Sequence, residues 1–320
     1  MRGAPAGRPS SSPGGLPSCA VDNRAEVREF LTTRRAKISP ARAGLPDVGA
    51  RRVPGLRRAE VAVLAGVSAE YYARIERGAL AGVSPSVLEA LARALQLDDA
   101  EREHLLALAR AADAPRTRPS RARSSAPARG WRPPPHLQRV LDAVTGGPAI
   151  VRNGRMDLLA TNLLGRAMHA PLHDSDVACA GGPPSFPRFT FLDEASRAFY
   201  PDWEAAARTC VAILRTEAGR DPYDKALHDL VGELSTRSAD FAALWSAHDV
   251  RLHGTGTKTF HHPAVGDLEL TYEGMDLLSA PGLTFTVYTA EPASPTAQAL
   301  SLLATWAATE LAGDDVRASP

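Results

Sequence analysis

The stretch "RRAEVAVLAGVSAEYYARIERG", residues 57–78, has helical periodicity on both sides of a break that a single helix does not accommodate. Before the break, Val61, Leu64 and Ala65 recur at i, i+3 and i+4 and make one apolar face. After it the phase restarts. Tyr72 and Ile75 point one way, while Glu70, Ala73, Arg74 and Arg77 share the opposite side. Gly66 can take the left-handed conformation that ends a helix, and the Ser68 hydroxyl can accept the free amide hydrogens that begin the next. The spacing therefore predicts two short helices joined by a tight turn. Two arrangements fit: a corner inside a helical core, or a helix-turn-helix that offers its second helix to a DNA major groove.

Charge favours the second arrangement. The formal net charge of the 320 residues is only +1, yet residues 1–135 carry 23 Lys+Arg against 13 Asp+Glu, and residues 136–320 carry 14 against 23. A basic half joined to an acidic half suggests that the first half meets a polyanion. Arginine abundance by itself does not carry that inference, because only Lys37, Lys225 and Lys258 among the basic residues are lysines, a bias of the kind that high-GC coding produces.

Cys19, Cys179 and Cys210 are odd in number and far apart, which points to a reducing cytoplasm and away from a disulfide framework or a paired-cysteine zinc site. No apolar run approaches 18 residues, so no membrane association is expected, and the first 20 residues lack the apolar core of a signal peptide.

The pattern divides the chain into a disordered tail (1–20), a helical domain (21–112), a Pro/Arg-rich linker (113–135), an α+β domain (136–310) and a flexible tail (311–320). Five helices are expected in the first domain, beginning with one over 23–36 that carries Val27, Phe30, Leu31 and Arg34. The connector "ISPARAGLPDVGARRVPG" is long for a compact domain, and its Arg42, Arg51 and Arg52 are suited to phosphate contact. Farther along, Asn153-Gly154 between two apolar runs signals a hairpin. Helices are expected over 162–169, 203–217, 224–234 and 238–248, then three alternating strands in "GTKTFHHP", "GDLELTYEGMDLL" and "GLTFTVYTAE", and a closing helix.

The strings "PGLRRAEVAVLAGVSAEYYARIERG" and "SPSVLEALARAL", followed by "FLDEASRAFYPDW", "ELSTRSADFAALWSAHDVR", "GTKTFHHPAVGDLELTYE" and "YTAEPASPTAQALSLLATW", resemble a bacterial regulator of the Xre-type helix-turn-helix class with an MmyB-like ligand-binding domain. The resemblance spans residues 23–308. It implies a five-helix lambda-repressor-like domain followed by a PAS-like α+β domain, double-stranded DNA as partner, and an apolar small molecule, with fatty acids as the class. The segment "DVACAGGPPSFPRFTF" departs from the pattern by a longer approach to a strand expected at "RFTF".

Mapped by position onto a repressor-type recognition helix, Ala69, Glu70, Tyr71 and Arg74 would face base edges, and Arg57 and Arg58 would contact phosphate. Arginine can pair in two bonds with guanine, and glutamate can accept from the cytosine amino group. Tyr72 and Ile75 read as core anchors, and Arg77 as a phosphate contact. Tyr71 stays open between a thymine contact and packing on the sugar backbone. One short helix makes few base contacts, so a homodimer on a symmetric site is expected.

For the ligand, Phe189, Phe191, Tyr200, Trp203, Trp245 and Tyr272 are the aromatic candidates, with Arg251 as the partner of a ligand carboxylate. His248, His253, His261 and His262 near Asp249 fit no compact metal pattern, and His261 and His262 would face opposite sides of a strand. "GTGTK" lacks the spacing of a phosphate loop, and no G-x-S-x-G elbow occurs. No metal, catalytic residue or other cofactor is expected. The competing arrangement is a DNA-binding module fused to a catalytic or metal-dependent α+β domain.

Overall fold

A computed structural model of the chain describes residues 23–46, 55–113, 131–222, 224–247 and 254–318, with side chains to residue 309. The N-terminal part is helical: α1 (Asn23–Lys37), α2 (Arg58–Ala65), α3 (Ala69–Glu76), α4 (Pro85–Ala94) and α5 (Asp99–Asp113). Their apolar faces close one core in which Val27, Phe30, Leu31, Leu56, Tyr72, Ile75, Leu91 and Leu105 are buried.

Both signals at the helix break act as chemistry requires. Gly66 has φ +66° and ends α2, its N–H returning to the Val63 carbonyl at 3.2 Å. Ser68 caps α3, its hydroxyl accepting from the Tyr71 N–H at 3.1 Å. The N–H of Arg57 donates to the Glu60 carboxylate at 2.7 Å, which fastens the start of α2. One expectation fails here: Leu64 is exposed, and Ala62 takes the inward position beside Val61 and Ala65. With only two turns, α2 buries the face that meets α3 and α4, and that face is set by the crossing geometry rather than by the largest side chain.

The second part opens with α6 (Pro135–Ala143), the hairpin β1 (Ala149–Asn153) and β2 (Leu158–Thr161), then α7 (Leu163–Met168), α8 (Ala170–His173), α9 (Asp176–Cys179), α10 (Phe186–Leu192) and α11 (Ala195–Phe199). Longer helices α12 (Trp203–Arg220), α13 (Lys225–Arg237) and α14 (Ala239–Ser246) lead to β3 (Thr255–His262), β4 (Gly266–Asp276), β5 (Leu283–Thr289) and α15 (Pro295–Ala318). The strands form one antiparallel sheet in the order β2-β1-β5-β4-β3, a PAS-like layout in an α+β domain.

Residues alternate across the sheet. Ala149, Val151, Leu283 and Phe285 face α6, while Ile150, Leu268, Leu270, Tyr272 and Tyr288 face the layer of helices on the other side.

The strand expected at "RFTF" is a correction, because those residues lie in α10. Phe189 and Phe191 mimic a period of two, but Phe186, Phe189 and Thr190 are the buried i, i+3, i+4 set, and Pro187 suits a helical first turn. The linker over 114–130, the first tail (1–20), and Arg51, Arg52, Asp249 and Arg251 lie outside the described residues, whereas α15 continues to Ala318 and takes up most of the 311–320 stretch expected as a flexible tail.

Candidate nucleic-acid interface and ligand cavity

In the helical domain α3 is held by Tyr72 and Ile75, each fully buried, which turns Ala69, Glu70, Arg74 and Arg77 to solvent. Tyr71 is half-buried. Its ring leans on the core, and the Arg74 guanidinium lies 4.9 Å over its face. Arg57 and Arg58 sit exposed at the start of α2, beside this surface.

Glu76, which the sequence reading passed over, organises the site from below. Only 1% exposed, its carboxylate accepts from Arg35 Nε and Nη2 at 3.0 and 2.9 Å, from Arg58 Nε and Nη2 at 3.1 Å each, and from the Thr32 hydroxyl at 3.2 Å. Burial opposes ionisation here, but the hydrogen bonds from Arg35 and Arg58 outweigh it and hold the carboxyl below its usual pKa. One acid thereby ties α1, α2 and α3 together and aims Arg58.

The second domain holds a partly open cavity of about 380 Å³ between the inner face of the sheet and α12. Ile150, Arg152, Lys258, Tyr272, Thr286 and Tyr288 reach it from the sheet; Ala205, Ala206, Thr209 and Cys210 come from α12, and His169, Phe186, Thr190 and Tyr200 from the shorter helices and their ends. Of the aromatic candidates, Tyr200 and Tyr272 line this space. Phe189, Phe191, Trp203 and Trp245 do not: Phe191 packs edge-on against Trp203 and Phe241, Trp245 stacks on Phe241, and Phe189 meets Phe199 and Tyr200.

Two cations occupy the cavity wall that sequence reasoning did not single out. Arg152 is 8% exposed and hydrogen-bonds to the Asn153 carbonyl at 3.4 Å, with Glu217 and Asp276 acting at longer range. Burial draws its pKa below the ordinary arginine value. Lys258 places its ammonium 4.7 Å over the Tyr272 ring, and burial, with Arg152 adding like charge, draws its pKa down to about 7. Each carried a signal: Arg152 interrupts the apolar run "AIVRN", and Lys258 alternates with the inward-facing Phe260 and His262 in a chain with three lysines.

The two domains meet through α12. Arg215, fully buried, donates from Nη1 to both oxygens of Glu26 on α1 at 2.7 and 2.9 Å, and from Nη2 to the Trp245 carbonyl. Its guanidinium lies 4.1 Å over the Trp245 ring. His104 of α5 stands 3.6 Å from Glu26 and packs against Gly219, where an added Cβ would approach the imidazole to 2.5 Å. Burial lowers the His104 pKa, so it enters this contact neutral.

Among the described residues no three His, Cys, Asp or Glu side chains form a metal-binding group. His261 is exposed and pairs with Asp267 at 2.6 Å, whereas His262 is buried and hydrogen-bonds to the Ala167 carbonyl at 3.0 Å. His248 and His253 lie outside the described residues. No described helix is long and apolar enough to cross a membrane.

A capped helix pair with an exposed second helix, joined to an α+β domain with a cavity between its sheet and helices, defines a DNA-binding transcription regulator that carries a ligand-binding domain. The family model of the MmyB-like transcription regulator ligand binding domain matches residues 133–303, and that of a helix-turn-helix domain matches residues 27–105. The chain belongs to the MmyB-like transcription regulators with an N-terminal helix-turn-helix domain. A search of curated proteins found no match.

Proposed function

We propose that this regulator is a cytoplasmic homodimer, not an enzyme, that reads a symmetric operator with α3 and changes its DNA affinity when an apolar small molecule, a fatty acid being the first class to test, enters the cavity. The observation that carries this reading is the double use of α12, whose Thr209 and Cys210 line the cavity while Arg215 and Gly219 meet the helix-turn-helix domain. Cys210 and Arg215 are separated by about 8 Å of helix axis. A shift of α12 on ligand entry therefore reaches Glu26 and His104 directly. Coupling requires that the ligand favour one arrangement over the other.

On the DNA side, Ala69, Glu70, Tyr71 and Arg74 are assigned to base edges, and Arg57, Arg58, Arg77, Arg51 and Arg52 to phosphate. The exposure of Glu70 and Arg74 beside buried anchors supports this assignment. Selection of bound sequences from random DNA, with and without extraction of co-purified small molecules, tests symmetry and ligand response together. In the same assay, Arg74→Ala is expected to relax base choice at one position, at about 1–3 kcal/mol of discrimination. Arg58→Ala is expected to weaken all sequences alike and to reduce the salt slope by about 1. The reverse pattern would mean that α3 docks differently.

A further inference from the structure

We infer that Lys258 is a covalent capture site, whose amine forms a reversible imine with the aldehyde group of a small molecule that enters the cavity between the sheet and α12. This rests on the cavity admitting a small molecule, but not on its coupling to DNA.

The inference starts from two basic side chains that reach the same space from β1 and β3, strands separated by β5 and β4. Lys258 shares the inward face of β3 with Phe260 and His262, and its nitrogen lies 4.7 Å over the Tyr272 ring. No acidic side chain pairs with it among the described residues. Arg152, on the same wall, has a neutral carbonyl as its hydrogen-bond partner. Two like charges in a wall of this kind are costly. Arginine keeps its proton in proteins, so lysine is the member that can relieve the cost by releasing one. The face of Tyr272 receives the N–H groups of the free amine as it does those of the ammonium. A lysine desolvated among apolar groups and set beside a second cation is the arrangement that makes an amine nucleophilic at neutral pH. The value near 7 agrees with that placement.

The free amine adds its lone pair to the aldehyde carbon, a C–N bond forms, and the carbonyl π electrons move to oxygen, which takes up the first proton that nitrogen releases. The hydroxyl then leaves with the second N–H proton as one water, and a C=N bond remains. Hydrolysis reverses the step, and no oxidant or reductant is needed. The other groups that face Lys258 do not compete. Burial pushes the Cys210 thiol up to about 12, raises the phenols of Tyr200 and Tyr288 and draws His169 down to about 4, so each is neutral near pH 7. Tyr272 lies under the amine, and the Asp202 carboxylate at the rim caps α12. Ile150, Phe186 and Phe260 offer the body of the aldehyde an apolar surface. Because attack needs the free amine, capture at Lys258 rises with pH through about 7 and then levels off, whereas an ordinary lysine keeps climbing toward about 10.4.

The test incubates the full chain, extracted of co-purified lipid, with decanal and with 2-naphthaldehyde in the presence of cyanoborohydride, which reduces an imine to a stable secondary amine, and locates the adducts by peptide mass spectrometry. The chain has three lysines, and Lys37 and Lys225 are exposed, so they serve as internal references. The site is supported if at least one aldehyde labels Lys258 tenfold or more faster than either reference at pH 7.5, with a rate that levels off between pH 8 and 9. A smaller advantage for both aldehydes, or a Lys258 rate that keeps rising to pH 10, would overturn it. Without the reductant, decanal should bind the parent chain tenfold or more tightly than 1-decanol. Lys258→Met should lose that preference and keep the parent's affinity for the alcohol, which separates loss of the amine from loss of the fold. A variant that still prefers the aldehyde would count against the capture site. A Lys258 adduct that leaves DNA affinity unchanged would refute the sensing reading and leave the capture site standing.

Discussion

Arg215→Ala is expected to separate the two domains, at a cost of about 3–5 kcal/mol to their association, because it leaves Glu26 ionised and buried with no partner on α12. The pair itself need not be strongly stabilising. Its removal as a unit, with Glu26→Leu and Arg215→Met, should recover most of the loss, since apolar residues of similar volume avoid the desolvation cost. Calorimetry and hydrogen exchange at α1 and α5 check both parts. The single variant should show two resolved unfolding transitions and loss of protection at the contact. The double variant should show near-native protection. A single variant that unfolds like the parent chain would mean that the contact contributes little to the link between domains.

The second large effect is expected at Glu76. Glu76→Ala removes the acceptor shared by Arg35, Arg58 and Thr32 and leaves the Arg35 guanidinium, 12% exposed, with the Leu56 carbonyl as its hydrogen bond. The helical domain should lose about 3–5 kcal/mol, measured by chemical unfolding. Arg58→Ala should cost far less, because Arg58 is 57% exposed and Glu76 keeps Arg35. The folded carboxyl titrates below its unfolded value of about 4.3, so its contribution is complete above that pH and is lost as pH falls through the folded value. The parent chain should therefore lose stability below about pH 4.3 more steeply than Glu76→Gln. Parallel curves would contradict the role assigned to this acid.

These two acids mark where sequence reading stops. The break at Gly66 and Ser68, the hairpin at Asn153-Gly154 and the three late strands were legible because turn chemistry and hydrophobic period act over a few residues. Tyr72 and Tyr71 could be told apart by phase alone, and the structure buries the first fully while leaving the second half-exposed under Arg74. Phase failed for Leu64 and for "RFTF", where packing geometry, not side-chain size or alternation, decided the outcome.

The buried charges could not be read in this way. Glu26 and Arg215 are 189 positions apart, and Arg35 and Glu76 are 41 apart, so neither pairing leaves a local trace. Aromatic content was a poor guide to the cavity for the same reason: Phe191, Trp203 and Trp245 are needed to hold the helices around it. The polar members, Arg152 and Lys258, were visible only as residues out of place in otherwise apolar or alternating strands.

In the function proposed, the cavity and the DNA-binding surface communicate through α12. The most direct test measures the affinity of the full chain for its selected operator, with and without saturating decanoate, in the parent and in the Glu26→Leu/Arg215→Met variant. A change of fivefold or more in the parent, in either direction, that falls toward none in the variant is the expected result. An operator affinity indifferent to an acid shown to bind, or a response of equal size in the variant, would contradict it.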